Sequence, residues 1–164
     1  MSKTLLVMRH AKSDWGDETL ADHERPLNRR GKRDAPRMGR LIRTRRLVPD
    51  LIVSSTAVRA RKTAMKVAKA CGYERGIELR AELYEASPED CLQVLRTTSV
   101  EADTVLLVGH NPGLEELVAQ LTGESHRFPT AALAQIGLAI TSWRKCTSGL
   151  RGELRHLWRP REME

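Results

Sequence analysis

The sequence predicts an α/β fold: a three-layer α/β/α sandwich around a mostly parallel central sheet. Short, continuously apolar runs ("TLLVM", "PDLIVSS", "DTVLLVGH") recur along the chain, as in strands buried on both faces rather than half-exposed antiparallel ones. Between them lie longer stretches with apolar residues at helical spacing. Strand and helix alternate with no repeat, linker or low-complexity tract between them, which a parallel sheet covered by helices requires. At 164 residues the chain reads as one domain, 1–164, with a sizeable core.

Taken in order, residues 4–8 form the first strand, and a loop of about twenty residues follows, closed by "RPLNRRG". A helix near 30–46 buries Ala35, Met38, Leu41 and Ile42 and leaves its arginines outside. Residues 49–55 form the second strand, after which Ser55 or Thr56 is placed to cap a helix packing Ala60, Ala64, Val67, Ala68 and Cys71 and stopping at Gly72. A short strand is expected near 77–80. Ser87-Pro88-Glu89-Asp90 then combines a cap, a proline at the first helical position and acids in the first turn. The strand over 103–110 leads into a helix that begins at Asn111-Pro112, packs Leu114, Leu117, Val118 and Leu121, and ends at Gly123. Strands over 132–140 and 153–158 complete the chain.

Composition excludes several classes. No apolar run is long enough to span a bilayer, and the apolar segment after Met1-Ser2-Lys3 is shorter than a signal-peptide core. Cys71, Cys91 and Cys146 are odd in number and scattered, so neither a disulfide framework nor a zinc site is expected, and a reducing cytoplasm is the default location. The formal charge is +7, but residues 25–46 alone carry ten basic side chains and one acid, Asp34, a net +9 that leaves −2 for the rest. Such a patch gathers anions and speeds their encounter. No aromatic residue lies within it to stack bases, so nucleic acid is not the expected partner. Most of its arginines read as a solvated helix face.

In a parallel sheet, ligands bind outside the carboxyl ends of the strands. Three ends carry suggestive residues: Arg9-His10, Ser54-Ser55 with Arg59 one helical turn on, and Gly109-His110-Asn111. Two guanidiniums and two imidazoles beside helix N-termini suit a phosphoryl group. A metal site on His10 and His110 lacks the spacing of known motifs, and the flanking arginines would repel a divalent cation. A neutral histidine nitrogen can attack phosphorus, with Arg9, Arg59 and a charged His110 neutralising its oxygens.

"MRHAKSDW", "RPLNRRG", "SSTAVRARKTA", "LYEAS" and "VGHNPGLEELV" resemble the histidine phosphatase superfamily, whose fold is phosphoglycerate mutase-like, and within it the small phosphohistidine phosphatase (SixA-like) branch. The resemblance implies that His10 is transiently phosphorylated, that Arg9, Arg59 and His110 hold the phosphoryl oxygens, and that no metal or other cofactor takes part. Ala11 stands where the superfamily usually has glycine.

Glu85 falls where the superfamily often keeps a general acid; it is a candidate for that role, or a carboxylate answering the dipole of the helix after Ser87. Arg25 joins the candidate phosphate-binding set, and Lys12 is a contact for phosphate or partner. Trp15 either lines the rim or packs the loop shut. His23, His126 and His156 read as structural or exposed. Expelling imidazole needs little acid help, and the chain has no room for a large lid. The expected substrate is therefore phosphohistidine on a protein, with a small phosphoester as the alternative. A non-catalytic phosphate- or nucleic-acid-binding module is the remaining option, and it would not need both histidines. The sequence leaves the oligomeric state open.

Overall fold

In a computed structural model, which describes residues 2–98 and 101–163, the chain folds around a six-stranded sheet. The strands are β1 (Lys3–Arg9), β2 (Leu51–Ser54), β3 (Ile77–Leu79), β4 (Thr104–Gly109), β5 (Leu133–Leu138) and β6 (Gly152–Trp158), in the spatial order β3-β2-β4-β1-β5-β6. Four strands, β3 to β1, run parallel; β5 and β6 join as antiparallel neighbours. The helices are α1 (Arg29–Thr44), α2 (Val58–Cys71), α3 (Pro88–Arg96) and α4 (Gly113–Thr122).

Alternation along the strands divides the core. Leu6, Met8, Ile52, Leu106 and Val108 pack against Met38 and Ile42 of α1 and Ala64 and Val67 of α2. Leu5, Val7, Val53, Val105 and Leu107 face Leu92 and Leu95 of α3 and Leu117 and Leu121 of α4. Three layers result, as the sequence predicts. None of the described helices is long and apolar enough to cross a membrane.

Register levels the strand ends. Met8 pairs with Val108, Val108 with Ser54 and Ser54 with Leu79, so four parallel strands finish in one row. Because β5 runs the other way, its first residue, Leu133, also pairs with Met8. The segment entering β5 thus reaches the same edge as the strand ends.

Several local expectations shift. Helix α2 begins at Val58 behind an Ala57 that provides no side-chain cap; Ser55 is drawn elsewhere, as described below. Helix α4 starts at Gly113 rather than at Asn111, and the Asn111-Pro112 peptide is cis. Ser87 and Asp90 form the full reciprocal cap at the start of α3. The loop after β1 is zipped at its base, where Asn28 N–H donates to Lys12 O at 3.0 Å and Asp14 N–H to Pro26 O at 2.8 Å. Gly31 lies against that neck: a Cβ there would stand 2.2 Å from the Lys12 carbonyl oxygen.

Most of the basic side chains of this segment are exposed, as expected, but a buried acid holds some of them. Asp34 is 1% exposed and pairs with Arg30 at 3.5 Å, Arg33 at 3.3 Å and Arg37 at 3.8 Å. One buried carboxylate thus organises three of the arginines across the first turns of α1.

Candidate active site

His10 follows the last residue of β1, is 6% exposed, and its backbone N–H donates to Gly109 O at 3.0 Å. Its Nδ1 lies 2.7 Å from the carbonyl oxygen of Ala11. A carbonyl only accepts, so Nδ1 carries the proton and Nε2 keeps its lone pair. Burial, reinforced by His110, Arg59 and Arg9 and opposed by the Ala11 hydrogen bond, lowers the His10 pKa to about 3. The ring is a neutral nucleophile near pH 7. Thr63 positions the turn: its hydroxyl donates to Arg59 O at 2.7 Å and accepts the Ala11 N–H at 2.9 Å. Ala11 is buried, and its φ is not among the positive values, so the turn does not require glycine.

The second imidazole, His110, lies with its ring centroid 5.1 Å from that of His10. Its Nε2 is 2.8 Å from Ser55 Oγ, which also accepts the Ala57 N–H at 3.2 Å. When the Ser55 hydroxyl gives its proton to Nε2 it both donates and accepts, and the His110 proton sits on Nδ1. Burial first, then Arg59, lower the His110 pKa to about 4. The sequence predicts a charged His110; the structure holds it neutral, because desolvation and two neighbouring guanidiniums oppose a further charge.

Both arginines are pinned by their terminal nitrogens. Arg9 Nη1 donates to Phe128 O at 3.2 Å. Arg59 Nη1 donates to Asp22 O at 2.6 Å and Nη2 to Asp22 Oδ2 at 3.0 Å. Their Nε atoms and His110 Nδ1 are buried and have no protein partner. A buried donor without an acceptor costs about 1–3 kcal/mol. Three such donors around a neutral histidine make a cradle for an anion.

Around this centre the structure adds Asp22, Tyr84, Glu115 and the Phe128 backbone, which carry no expected role, and places His23 and Asn111 beside them. Asp22 receives the Tyr84 hydroxyl and the Arg59 and Arg25 guanidiniums. These, led by Tyr84, hold its carboxylate well below the usual range. Tyr84 packs edge-on against His110 at 5.5 Å and His23 at 4.9 Å, and His23 Nε2 lies 2.9 Å from Thr56 Oγ1. On the other side, Asn111 Nδ2 donates to Phe128 O at 2.8 Å and Glu115 Oε2 accepts the Phe128 N–H at 2.9 Å, fixing the carbonyl that holds Arg9. Only Tyr84, Asn111 and Glu115 had a sequence signal, since they lie inside "LYEAS" and "VGHNPGLEELV". Asp22 has none, being one acid in a polar loop.

The structure brings Arg9, His10, Arg59 and His110 together. Arg25 is 6% exposed and is taken up by Asp22 Oδ1 at 3.0 Å, Ser13 Oγ at 2.7 Å and the Trp15 ring, 3.4 Å from its Cζ. Trp15 itself is 68% exposed and lies under that guanidinium at the loop surface. Glu85 is exposed, with φ 54°, and its charge is felt by Tyr84. His126 pairs with Glu124 at 3.2 Å, and His156 stacks on Trp158 at 5.0 Å, apart from these contacts.

The chain is similar to known proteins in sequence and in fold. An uncharacterised chloroplastic protein of Arabidopsis thaliana is 31% identical over 152 residues, 87% of this chain and 70% of the relative. A structure provisionally named phosphohistidine phosphatase SixA from Nakamurella multipartitia superposes with a TM-score of 0.85 at 26% identity, covering 98% of this chain and 97% of the other. Another with that provisional name, from Agrobacterium tumefaciens, gives 0.79 at 30% identity, covering 98% and 100%. The model of the histidine phosphatase superfamily (branch 1) matches residues 5–99, a span that runs from β1 through His10 and Arg59 to α3. By that match, this chain belongs to the histidine phosphatase superfamily and is a phosphatase.

Proposed function

We propose that the protein removes the phosphoryl group from a phosphohistidine on another protein, with His10 as the nucleophile. The observation that carries this reading is a neutral His10, with Nδ1 held by Ala11, among buried, unpartnered donors on Arg9, Arg59 and His110. His10 Nε2 attacks phosphorus, forming an N–P bond as the bond to the substrate imidazole breaks. That ring leaves neutral because its other nitrogen carries a proton. Arg9, Arg59 and the Nδ1–H of His110 take the equatorial oxygens, where charge stabilisation and positioning supply most of the catalysis in phosphoryl transfer. The Ala11 carbonyl stabilises the positive charge that develops on the His10 ring. Water then attacks phospho-His10, releasing inorganic phosphate and restoring the imidazole.

Acid–base chemistry points to an imidazole leaving group. Asp22, the carboxylate in contact with the site, is held ionised by Tyr84, Arg59 and Arg25 and is a poor proton donor at neutral pH. An alkoxide needs such a donor; an imidazole with a pKa of ~6.5 scarcely does. Glu85, exposed beside Tyr84, is the proton donor this reading reserves for phosphoesters. Arg25 acts as a positioning residue through Asp22.

Comparing a phosphorylated histidine-containing protein with phosphoserine, an ester whose leaving alkoxide needs a proton, tests the reading. His10→Ala should abolish turnover of both and remove an acid-labile phosphoryl group mapped to residue 10. Arg59→Ala should lower kcat/KM on the order of 10²–10³-fold. Glu85→Gln should slow only the ester; equal loss on both substrates would favour a general phosphomonoesterase.

A further inference from the structure

A cavity of about 730 Å³ lies beside the His10 centre, walled by the cations Arg9, Lys12, Arg30, Arg127, Arg159 and Arg161. Two carboxylates, Glu115 and Glu162, share the wall, and both are engaged. Glu115 holds Asn111 at 3.0 Å and the Phe128 N–H at 2.9 Å, while Glu162 pairs with Arg159 at 3.4 Å. Arg30 is bound to Asp34 at 3.5 Å. Lys12, Arg127 and Arg161 line the cavity without an ion-pair partner among the described residues. Cations gathered without counter-charges repel one another, and an anion among them relieves that repulsion.

The wall is built rather than incidental. Arg159 Nε donates to Arg127 O at 3.1 Å, and Arg37 Nη1 reaches Pro160 O at 3.5 Å. These bonds tie the turn Pro160–Met163 both to the segment entering β5 and to α1. Arg9 belongs to both sites: it lines the cavity, keeps a buried, unpartnered Nε, and is near enough to His10 to be felt by its ring.

We propose that this cavity is a second anion subsite, which binds carboxylates flanking the phosphohistidine of an acidic protein substrate. The proposal rests on the phosphatase reading for the group at His10. Charge continuity favours a protein over a small bisphosphate. From the Arg30 wall, positive charge runs on along the outer face of α1, where Arg29, Lys32, Arg40 and Arg43 are exposed. A small ligand fills the cavity alone, whereas a folded acidic surface meets the cavity and the helix together.

Two phosphohistidine peptides, one flanked by Asp and Glu and the other by Asn and Gln, test this with the full-length protein. The acidic peptide should be favoured in kcat/KM by about tenfold at low salt, and the preference should shrink as ionic strength approaches ~0.5 M. In the R127E/R161E double variant the ratio should fall to about one, with a smaller drop in the same direction for Lys12→Gln. Because the ratio is taken within each variant, partial misfolding does not alter it, and Arg127→Glu keeps the carbonyl that Arg159 uses. A wild-type ratio of one, or a ratio unchanged in the double variant, overturns the proposal. So does inhibition by inorganic pyrophosphate far stronger than by orthophosphate and equal against both peptides, the signature of a small bisphosphate. If neither peptide is hydrolysed, the His10 reading fails while the subsite remains testable. Calorimetric affinity for the unphosphorylated acidic peptide must then exceed that for the amide peptide and drop in the double variant; equal affinities overturn the subsite.

Discussion

His10 and His110 are useful to the site because burial keeps both rings uncharged, and that choice has a consequence for stability. Their pKa values, about 3 and about 4, lie below the ordinary value of 6.5. Above that ordinary value both the folded and the unfolded chains carry neutral rings. As pH falls below it, the unfolded chain takes up protons that the folded one refuses, so the free energy of unfolding drops until the folded pKa values are reached. Urea denaturation should therefore show lower stability at about pH 5 than at about pH 7.5, and His10→Asn, which keeps a donor toward Ala11 O, should reduce the difference. A difference unmoved by that substitution would contradict the assignment. Asp22 is the other residue whose part is electrostatic, since Tyr84, Arg59 and Arg25 converge on it. Asp22→Asn should lower kcat/KM for p-nitrophenyl phosphate about 10–100-fold by loosening Arg59, with Tyr84→Phe milder because the Arg59 contacts persist. Steady-state kinetics on the two variants separates these outcomes.

At the scale of elements, close approach of backbones sets the constraints. Helix α4 starts at Gly113, where an added Cβ would stand 2.1 Å from the Ala86 carbonyl oxygen. That carbonyl belongs to the link that carries Tyr84 and Glu85 toward α3. Gly113→Ala should cost about 1–3 kcal/mol through overpacking, read from the denaturation midpoint, and should displace Tyr84 from Asp22 and His110. The segment before β5 is held comparably tightly: Ala131 adopts φ 64°, and its N–H is shared between Arg9 O and His10 O at 3.1 Å each. The periodicity that marks α1 to α4 and the Ser87 cap was readable in the sequence, because those features depend on neighbours within a turn. Ser55 was not, since the same hydroxyl suits a helix cap or a distant imidazole and only the fold brings His110 to it.

Across the whole molecule, the sheet separates two apolar layers that share no side chains. Met38 lies in the layer of α1 and α2, and Leu117 in that of α3 and α4. Met38→Ala and Leu117→Ala should each destabilise by about 2–5 kcal/mol, and their combination should add to within ~0.5 kcal/mol, because they sit on opposite faces of the sheet. A large coupling in urea melts would contradict the layered description. The sequence alone determined the alternation of strands and helices, hence the three layers and the row of strand ends carrying Arg9-His10, Arg59 and His110, because burial patterns repeat at short range. Only the tertiary structure decided which atoms of those side chains stay free, that His110 is neutral, and that Asp22, Tyr84 and the Phe128 carbonyl hold the guanidiniums. Those facts depend on desolvation and on hydrogen bonds between residues far apart in the chain, such as Arg9 and Phe128, and neither leaves a local pattern to read.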